Sequence, residues 1–432
     1  MDNTLTNANG RTTSNIRDGL SASSDGFGLE ADLAAGGGWR LHNKFSWVKN
    51  SGRFIGIFPG DDVSAAPAGT TIASGAGAGS AYSGNKFTAV IFNTQVDDAG
   101  LMANDLKLSR DFPLAGGKIN AVAGLYHSVQ QLDLTWNFNQ YSLSADGVGA
   151  RVLNVPGVVN GSPGFGGCCM NFQDSKYRST SPYLVLNLEA GAFTGDLGLR
   201  RDRNQADGAY YQTLPGFGGL VAGEQYNLAA PRAIDYQLGK TSFSLGGNYQ
   251  IERNLSLFAR YSDGAAFNAD RITFFNAANL VNGSSPTIPI NKVKQTDIGA
   301  KLRGSGWSLF ATLFAADTDE VNVDVTTSPI VSRNNRFKSK GLELEGSLNL
   351  GPMSLLAGLT YTDAEQADGR APKRQAKWVY QITPTFQFGD DLMLGVGIVG
   401  TTAAKDDSPA GPLTVTLPAY AMLNATLAYN LS

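Results

Sequence analysis

Gly341-Leu-Glu-Leu-Glu-Gly-Ser-Leu-Asn-Leu-Gly-Pro-Met-Ser-Leu-Leu-Ala-Gly-Leu-Thr-Tyr361 is the stretch whose reading decides the fold. Leu342, Leu344, Gly346, Leu348 and Leu350 fall at every second position, with Glu343, Glu345, Ser347 and Asn349 between them. A period of two puts one set on one side of a strand and the other set on the opposite side. Gly351-Pro352 turns the chain, and Met353, Leu355, Ala357, Leu359 and Tyr361 resume the apolar side. The segment is a β-hairpin with one oily and one wet face.

Hairpins of this kind recur along the chain without repeating in sequence. Outward from the decisive stretch, turns are expected at 304–306, 252–254, 191–196, 113–117 and 36–38 on one side, and at 389–391 on the other. The strand Leu417–Tyr429 follows. The connections at the far ends are long, near 50–103, 136–177, 202–234, 265–293 and 324–336. Short turns at one end and long loops at the other distinguish outer-membrane β-barrels. The expected fold is all-β, a transmembrane antiparallel barrel of the outer-membrane type with about 15 legible strands. Leu342, Leu344, Leu348, Leu355, Leu359, Ile382, Leu394 and Val396 are expected to face lipid. Glu343, Glu345, Ser347, Asn349, Thr383 and Gln387 are expected to face the lumen.

The bulk composition agrees. The chain has 432 residues and a net charge of -3, which carries no nucleic-acid footprint. Hydrophobic content of 42% is low for a helical membrane protein but suits a barrel, in which alternate residues stay wet. No run reaches the roughly 20 apolar residues of a membrane helix. Ala65–Gly79, built mostly of Ala, Gly, Ser and Thr, is expected to be mobile. Met1-Asp2-Asn3-Thr4 lacks the basic and apolar regions of a signal peptide. Cys168 and Cys169 are adjacent, either a strained vicinal disulfide or two inert thiols, without metal-ligand spacing.

Trp39 and Trp47 lie eight residues apart on one strand face, as do Met353 and Tyr361. That spacing approximates the roughly 25 Å apolar band of a barrel wall, whose edges favour aromatic rings. Ordinary packing in a soluble sandwich is the competing account. No nucleophile elbow, phosphate loop or Cys/His cluster is present, so no catalytic residue, metal ligand or cofactor is expected. His42 and His127 are read as wall or loop polar residues, and Asp317, Asp319 and Glu320 as a solvated strand end. Ligand contact is assigned to loop aromatics and nearby cations: Phe165, Arg200, Arg201, Tyr210, Tyr211, Phe217, Phe274 and Phe275. Such groups suit anionic iron chelates, aromatic compounds and sugars alike, and they also suit loops packing on themselves.

Asn254-Leu-Ser-Leu-Phe-Ala-Arg-Tyr-Ser-Asp-Gly264, Phe337-Lys-Ser-Lys-Gly-Leu-Glu-Leu-Glu-Gly346 and Leu417-Pro-Ala-Tyr-Ala-Met-Leu-Asn-Ala425, in that order and spacing, resemble the barrel region of TonB-dependent receptors. The resemblance implies an active importer of the Gram-negative outer membrane, binding an extracellular iron chelate, vitamin, sugar or similar solute. It implies membrane lipids and lipopolysaccharide as surroundings, and the TonB energy-transducing complex as a partner through an N-terminal region. Family members carry a plug before the barrel and further strands after it. Nothing before Gly26 resembles a plug, so residues 1–432 are expected to form a partial barrel domain without one. A passive diffusion channel and a non-transporting surface barrel or adhesin stay open as alternatives.

Overall fold

The computed structural model describes residues 4–6, 13–15, 18–146, 149–163, 171–212, 229–267, 280–281, 290–324, 331–408 and 411–430. The wall of the molecule consists of β1 (Leu20–Ala34), β2 (Trp39–Pro59), β3 (Asn85–Asp98 and Leu101–Leu114), β4 (Gly117–Ser144) and β5 (Asn171–Ala190). It continues with β6 (Phe193–Gln212), β7 (Arg232–Glu252), β8 (Leu255–Phe267), β9 (Ile290–Gly304) and β10 (Trp307–Asp324). It ends with β11 (Val331–Leu350), β12 (Met353–Gln366), β13 (Trp378–Phe388), β14 (Leu392–Thr401) and β15 (Tyr420–Tyr429). Each strand pairs antiparallel with the next in sequence. The wall has the barrel architecture expected from the alternation.

The two pieces of β3 are one strand broken by a bulge. Both run antiparallel to β2, Leu101–Arg110 beside Val48–Trp39 and Ala89–Val96 beside Pro59–Gly52. Both also pair with β4, with a register shift between Val96 and Asp98. One extra residue on β3 is accommodated there, and the Gly100 amide donates to Asp98 Oδ1 at 2.7 Å. The ring of pairings among β2, the halves of β3 and β4 arises from this bulge. β1 and β15 adjoin in strand order, yet no register joins them among the described residues, and both expose every residue.

Parity is continuous across the wall. Leu33, Leu41, Leu108, Ala123, Leu184, Leu199 and Phe243 occupy one row. Leu257, Ala300, Ala311, Leu344, Leu359 and Tyr380 occupy another on the same face. Many of these side chains are exposed, Leu33 at 61% and Leu257 at 47% among them. A belt of exposed aliphatics around a wall of strands paired each to the next by backbone hydrogen bonds is what lipid requires. Aromatic rings edge the belt: Trp39, Phe112, Phe193, Tyr249 and Trp307 near the short turns, and Trp47, Tyr261, Tyr361 and Trp378 on the far side. The lipid-facing and lumen-facing sets expected from the sequence lie on opposite faces in these registers.

All expected turns are present, and the one expected at 191–196 is tighter than that, since β5 ends at Ala190 and β6 begins at Phe193. Gly116 (φ 83°) and Gly351 (φ 63°) hold the left-handed backbone that a tight turn needs. Strand lengths differ from expectation. β2 extends to Pro59, β3 begins at Asn85, β4 runs for 28 residues and β6 continues to Gln212. The low-complexity stretch 65–79 is folded rather than mobile: Thr71-Ile72 pairs with Leu153-Asn154, and Ile72 packs with Leu153 and Val155. That contact lets the segment 60–84 and the segment 149–163 cap one another. Glycine content alone hid it, because a cluster of three buried aliphatic side chains suffices to fix so short a segment.

Candidate functional site: the lumen wall

The residues between the lipid-facing ones point into the barrel. Midway up β3 to β8 they line a depression of about 450 Å³ that includes Asp105, Tyr126, Tyr183, Arg200, Ser242 and Ser262. The registers bring them together: Asp105 lies opposite Tyr126, Tyr183 opposite both Gly124 and Arg200, and Arg200 opposite Ser242.

Gly124 makes this arrangement possible. A Cβ there would sit 2.2 Å from the Tyr183 ring, so the missing side chain lets that ring lie across β4. Tyr183 Oη then donates to Asp105 Oδ1 at 2.8 Å, tying β5 to β3 over the intervening strand. The Arg200 guanidinium stands 5.2 Å from the centre of the Tyr126 ring, a cation–π distance. Its Nε donates to Asp202 Oδ1 at 2.7 Å, and Ser181 Oγ donates to the same oxygen at 2.7 Å. Asp202 is buried while Arg200 is more than a third exposed, so the carboxylate anchors the arginine and leaves part of its fork toward the lumen. Two strands on, Arg260 donates to Asp196 and to Ser244, both at 2.7 Å. Each of these charged groups is held laterally by a neighbour, which gives a fixed relief of donors and acceptors.

Of the ligand-contact residues read from the sequence, Arg200 alone lines this depression among the described residues. Arg201 lies on the opposite face, where Nη1 donates to Thr241 Oγ1 at 3.0 Å. Tyr210 and Tyr211 belong to β6 rather than to a loop. Tyr210 is 1% exposed and packs with Ala206, Ile234 and Tyr236. The Tyr211 ring stacks on Phe172 at 5.1 Å. Phe165, Phe217, Phe274 and Phe275, with Cys168 and Cys169, lie outside the described residues. Asp105, Tyr126, Tyr183 and Asp202 escaped the sequence reading. Their signal was parity: each falls on the wet side of a strand whose other side is aliphatic.

His42 lies on the lumen face near the short turns. Its Nδ1 is 2.7 Å from Asp32 and its Nε2 3.5 Å from Glu30. These three side chains converge closely enough to share a cation, with Lys44 Nζ 3.8 Å from Glu30 as a competing charge. His127 instead hydrogen-bonds Thr180 Oγ1 at 2.9 Å. No described helix is long and apolar enough to cross a membrane, which leaves crossing by strands untouched.

A family model described as TonB dependent receptor-like, beta-barrel, matches residues 2–432. No curated protein matches in sequence. Among solved structures, the unliganded ferric citrate transporter FecA is similar at 12% identity and a TM-score of 0.62, over 96% of this chain and 55% of that one. The closed form of the ferric-catecholate import receptor Fiu from E. coli K12 is similar at 14% identity and a TM-score of 0.68, over 96% of this chain and 58% of that one. The siderophore receptor PiuA from Acinetobacter baumannii is similar at 17% identity and a TM-score of 0.61, over 96% and 58%. At these identities the likeness carries the fold alone, and the chain spans little more than half of each neighbour.

Proposed function

The chain belongs to the TonB-dependent receptor-like β-barrel family, and on that premise we propose that it is the barrel wall of a Gram-negative outer-membrane receptor. The receptor takes up a small extracellular solute at the expense of energy delivered by the TonB complex. The observation that supports membrane residence is the continuous outward parity of the belt rows from β1 to β15, which fits a hydrocarbon solvent. Polar side chains on the other face suit a lumen through which a solute passes.

For the solute we infer an anionic chelate of iron. Arg200, braced by Asp202 and backed by Tyr126, offers a cation toward the lumen beneath the long-loop end. The names of the neighbours, a ferric citrate transporter, a ferric-catecholate import receptor and a siderophore receptor, point to the same class. The loop residues Phe165, Phe217, Phe274 and Phe275 are proposed to receive the solute first, as aromatic anchors on a rigid scaffold.

Titration of protein purified from outer membranes with ferric citrate and with a ferric catecholate tests this reading. Saturable binding to one of them is expected, and Arg200→Gln should weaken it about tenfold or more, the scale of one charge-assisted hydrogen bond. Failure to bind either chelate removes the proposed class. Steady conductance in a planar bilayer without an energy source would instead favour a diffusion channel.

A further inference from the structure

Three polar side chains stand inside the lipid-facing belt rather than at its edges. On β2 the aromatic edges are Trp39 and Trp47, and Asn43 lies midway between them on the same outward face. One row higher, Phe45 lies opposite Asn104, and Asn104 opposite His127. No register shift interrupts these pairings, so all share the outward face with the leucines around them. Leu41, Leu108 and Leu125 border them toward the short turns, and Trp47, Met102 and Val129 toward the long loops. The same band on β9 to β11 is apolar, with Ile298, Ala300, Leu309, Ala311, Leu344 and Gly346 in it. Polar groups on the hydrocarbon side of a membrane wall are costly, and they persist where something pairs with them.

Pairing within one chain is incomplete. Asn104 Nδ2 donates to Asn43 Oδ1 at 3.0 Å, and His127 hydrogen-bonds Thr180 Oγ1 at 2.9 Å. The Asn43 Nδ2 donor and the Asn104 Oδ1 acceptor are left side by side, with no further hydrogen bond among the described residues. An acyl chain satisfies neither, and lipid headgroups lie beyond the Trp47 row. A donor beside an acceptor is self-complementary under a twofold axis, the symmetry of an isologous contact. A second copy, held at the same depth and orientation by the same aromatic edges, brings an identical pair to the matching height. An unrelated membrane protein would have to place such a pair at that depth independently. Ala31, opposite Asn43 on β1, is small enough to let two walls approach closely.

We propose that the outward face of β2 to β4 is a lateral interface between two copies of this chain in the plane of the membrane. The twofold axis passes through the Asn43–Asn104 pair, and Asn43 Nδ2 of each copy donates to Asn104 Oδ1 of the other. The inference rests on the membrane residence proposed above.

Membrane fractionation comes first: absence of the protein from the outer membrane overturns the premise and the interface together. With the protein in place, the remaining outcomes bear on the interface alone. In a Cys168→Ser/Cys169→Ser background, Leu106→Cys is oxidised with copper phenanthroline in isolated outer membranes. A disulfide-linked species of twice the chain mass is expected, because Leu106 lies opposite Asn43 and beside the axis. Leu344→Cys, outward on the distant β11, should stay monomeric. Adding Asn43→Leu/Asn104→Leu to Leu106→Cys should lower the cross-linked fraction about tenfold, the scale of two hydrogen bonds in a membrane. Heat-modifiable migration on gels reports whether each variant has assembled its barrel. Should the double variant fail to assemble, Asn104→Ala, which removes the acceptor alone, takes its place with the same expected direction. Monomer at Leu106→Cys, equal cross-linking at Leu344→Cys, or a product of any other mass would each overturn the proposal. So would undiminished cross-linking in an assembled variant that lacks the amide pair.

Discussion

Glycine 124 shows how one residue type sets the chemistry of a wall. With any side chain there, the Tyr183 ring must move off β4 and its hydrogen bond to Asp105 is lost. Gly124→Ala is expected to destabilise the barrel by roughly 1–3 kcal/mol, the scale of overpacking a close contact. Urea unfolding in lipid, followed by tryptophan fluorescence, measures it, and a change below the assay error would show that Tyr183 relocates without penalty. Leu344 and Asn349 test the faces directly. Leu344→Arg, near the middle of the apolar belt, should cost about 2–4 kcal/mol, whereas Asn349→Asp in the lumen should be mild. Equal effects would reject the assignment of faces. At this scale the sequence was a good guide to which side of a strand a residue occupies. It was a poor guide to partners: Arg200 was read as a loop cation, and its bond to Asp202 and its place over Tyr126 depend on strand neighbours far apart in sequence.

Turns and strands differ in how legible they were. Tight turns announce themselves through Gly, Pro and Asn beside an alternating pattern, as at Gly351-Pro352. Strand ends far from the membrane carry no such mark. Beyond the lipid belt both faces meet water or loops, so Trp136–Ser144 and Asn204–Gln212 lose clean alternation while remaining in the sheet. The bulge at Asp97 adds to this, since one extra residue reverses parity between the halves of β3. The cap formed by segments 60–84 and 149–163 is secured at its base by Asp61, which accepts from the Thr88 amide at 2.5 Å and from Thr88 Oγ1 at 2.8 Å. Burial pushes the Asp61 carboxyl up, but the Thr88 bonds and the Lys86 ammonium together outweigh it and hold the group below its ordinary 3.8. A carboxyl depressed in the folded state contributes stability that is present above its unfolded value and is lost as pH falls through the folded one. The protection factors of the Ile72 and Leu153 amides, exchange rates taken relative to their intrinsic values at each pH, should therefore fall from about pH 4 downward. Asp61→Asn should raise exchange at neutral pH by an amount near 1 kcal/mol and remove the acid dependence. An unchanged acid profile in Asp61→Asn would assign the protection to the apolar contacts alone.

For the whole molecule, the order of turns and loops fixes an orientation. β1 descends toward the short turn at 35–38, and every hairpin through β14 returns at the same end. Folded cap segments and the long connections lie at the other end. An outer membrane admits long loops on the extracellular side and short turns on the periplasmic side. In a background with Cys168 and Cys169 replaced by Ser, Ser74→Cys in the cap should therefore react with a membrane-impermeant maleimide on intact cells. Ser305→Cys, in the turn between β9 and β10, should react only after the outer membrane is permeabilised. Both positions are exposed and neither pairs in the sheet, so a difference in labelling reports the side of the membrane rather than folding. Labelling of both on intact cells would mean that the turns face outward or that the wall does not cross the bilayer. Either result would remove Arg200 from a solute path entered through the long loops. The reverse pattern, with Ser305→Cys labelled first, would place the cap segments and the long connections toward the periplasm.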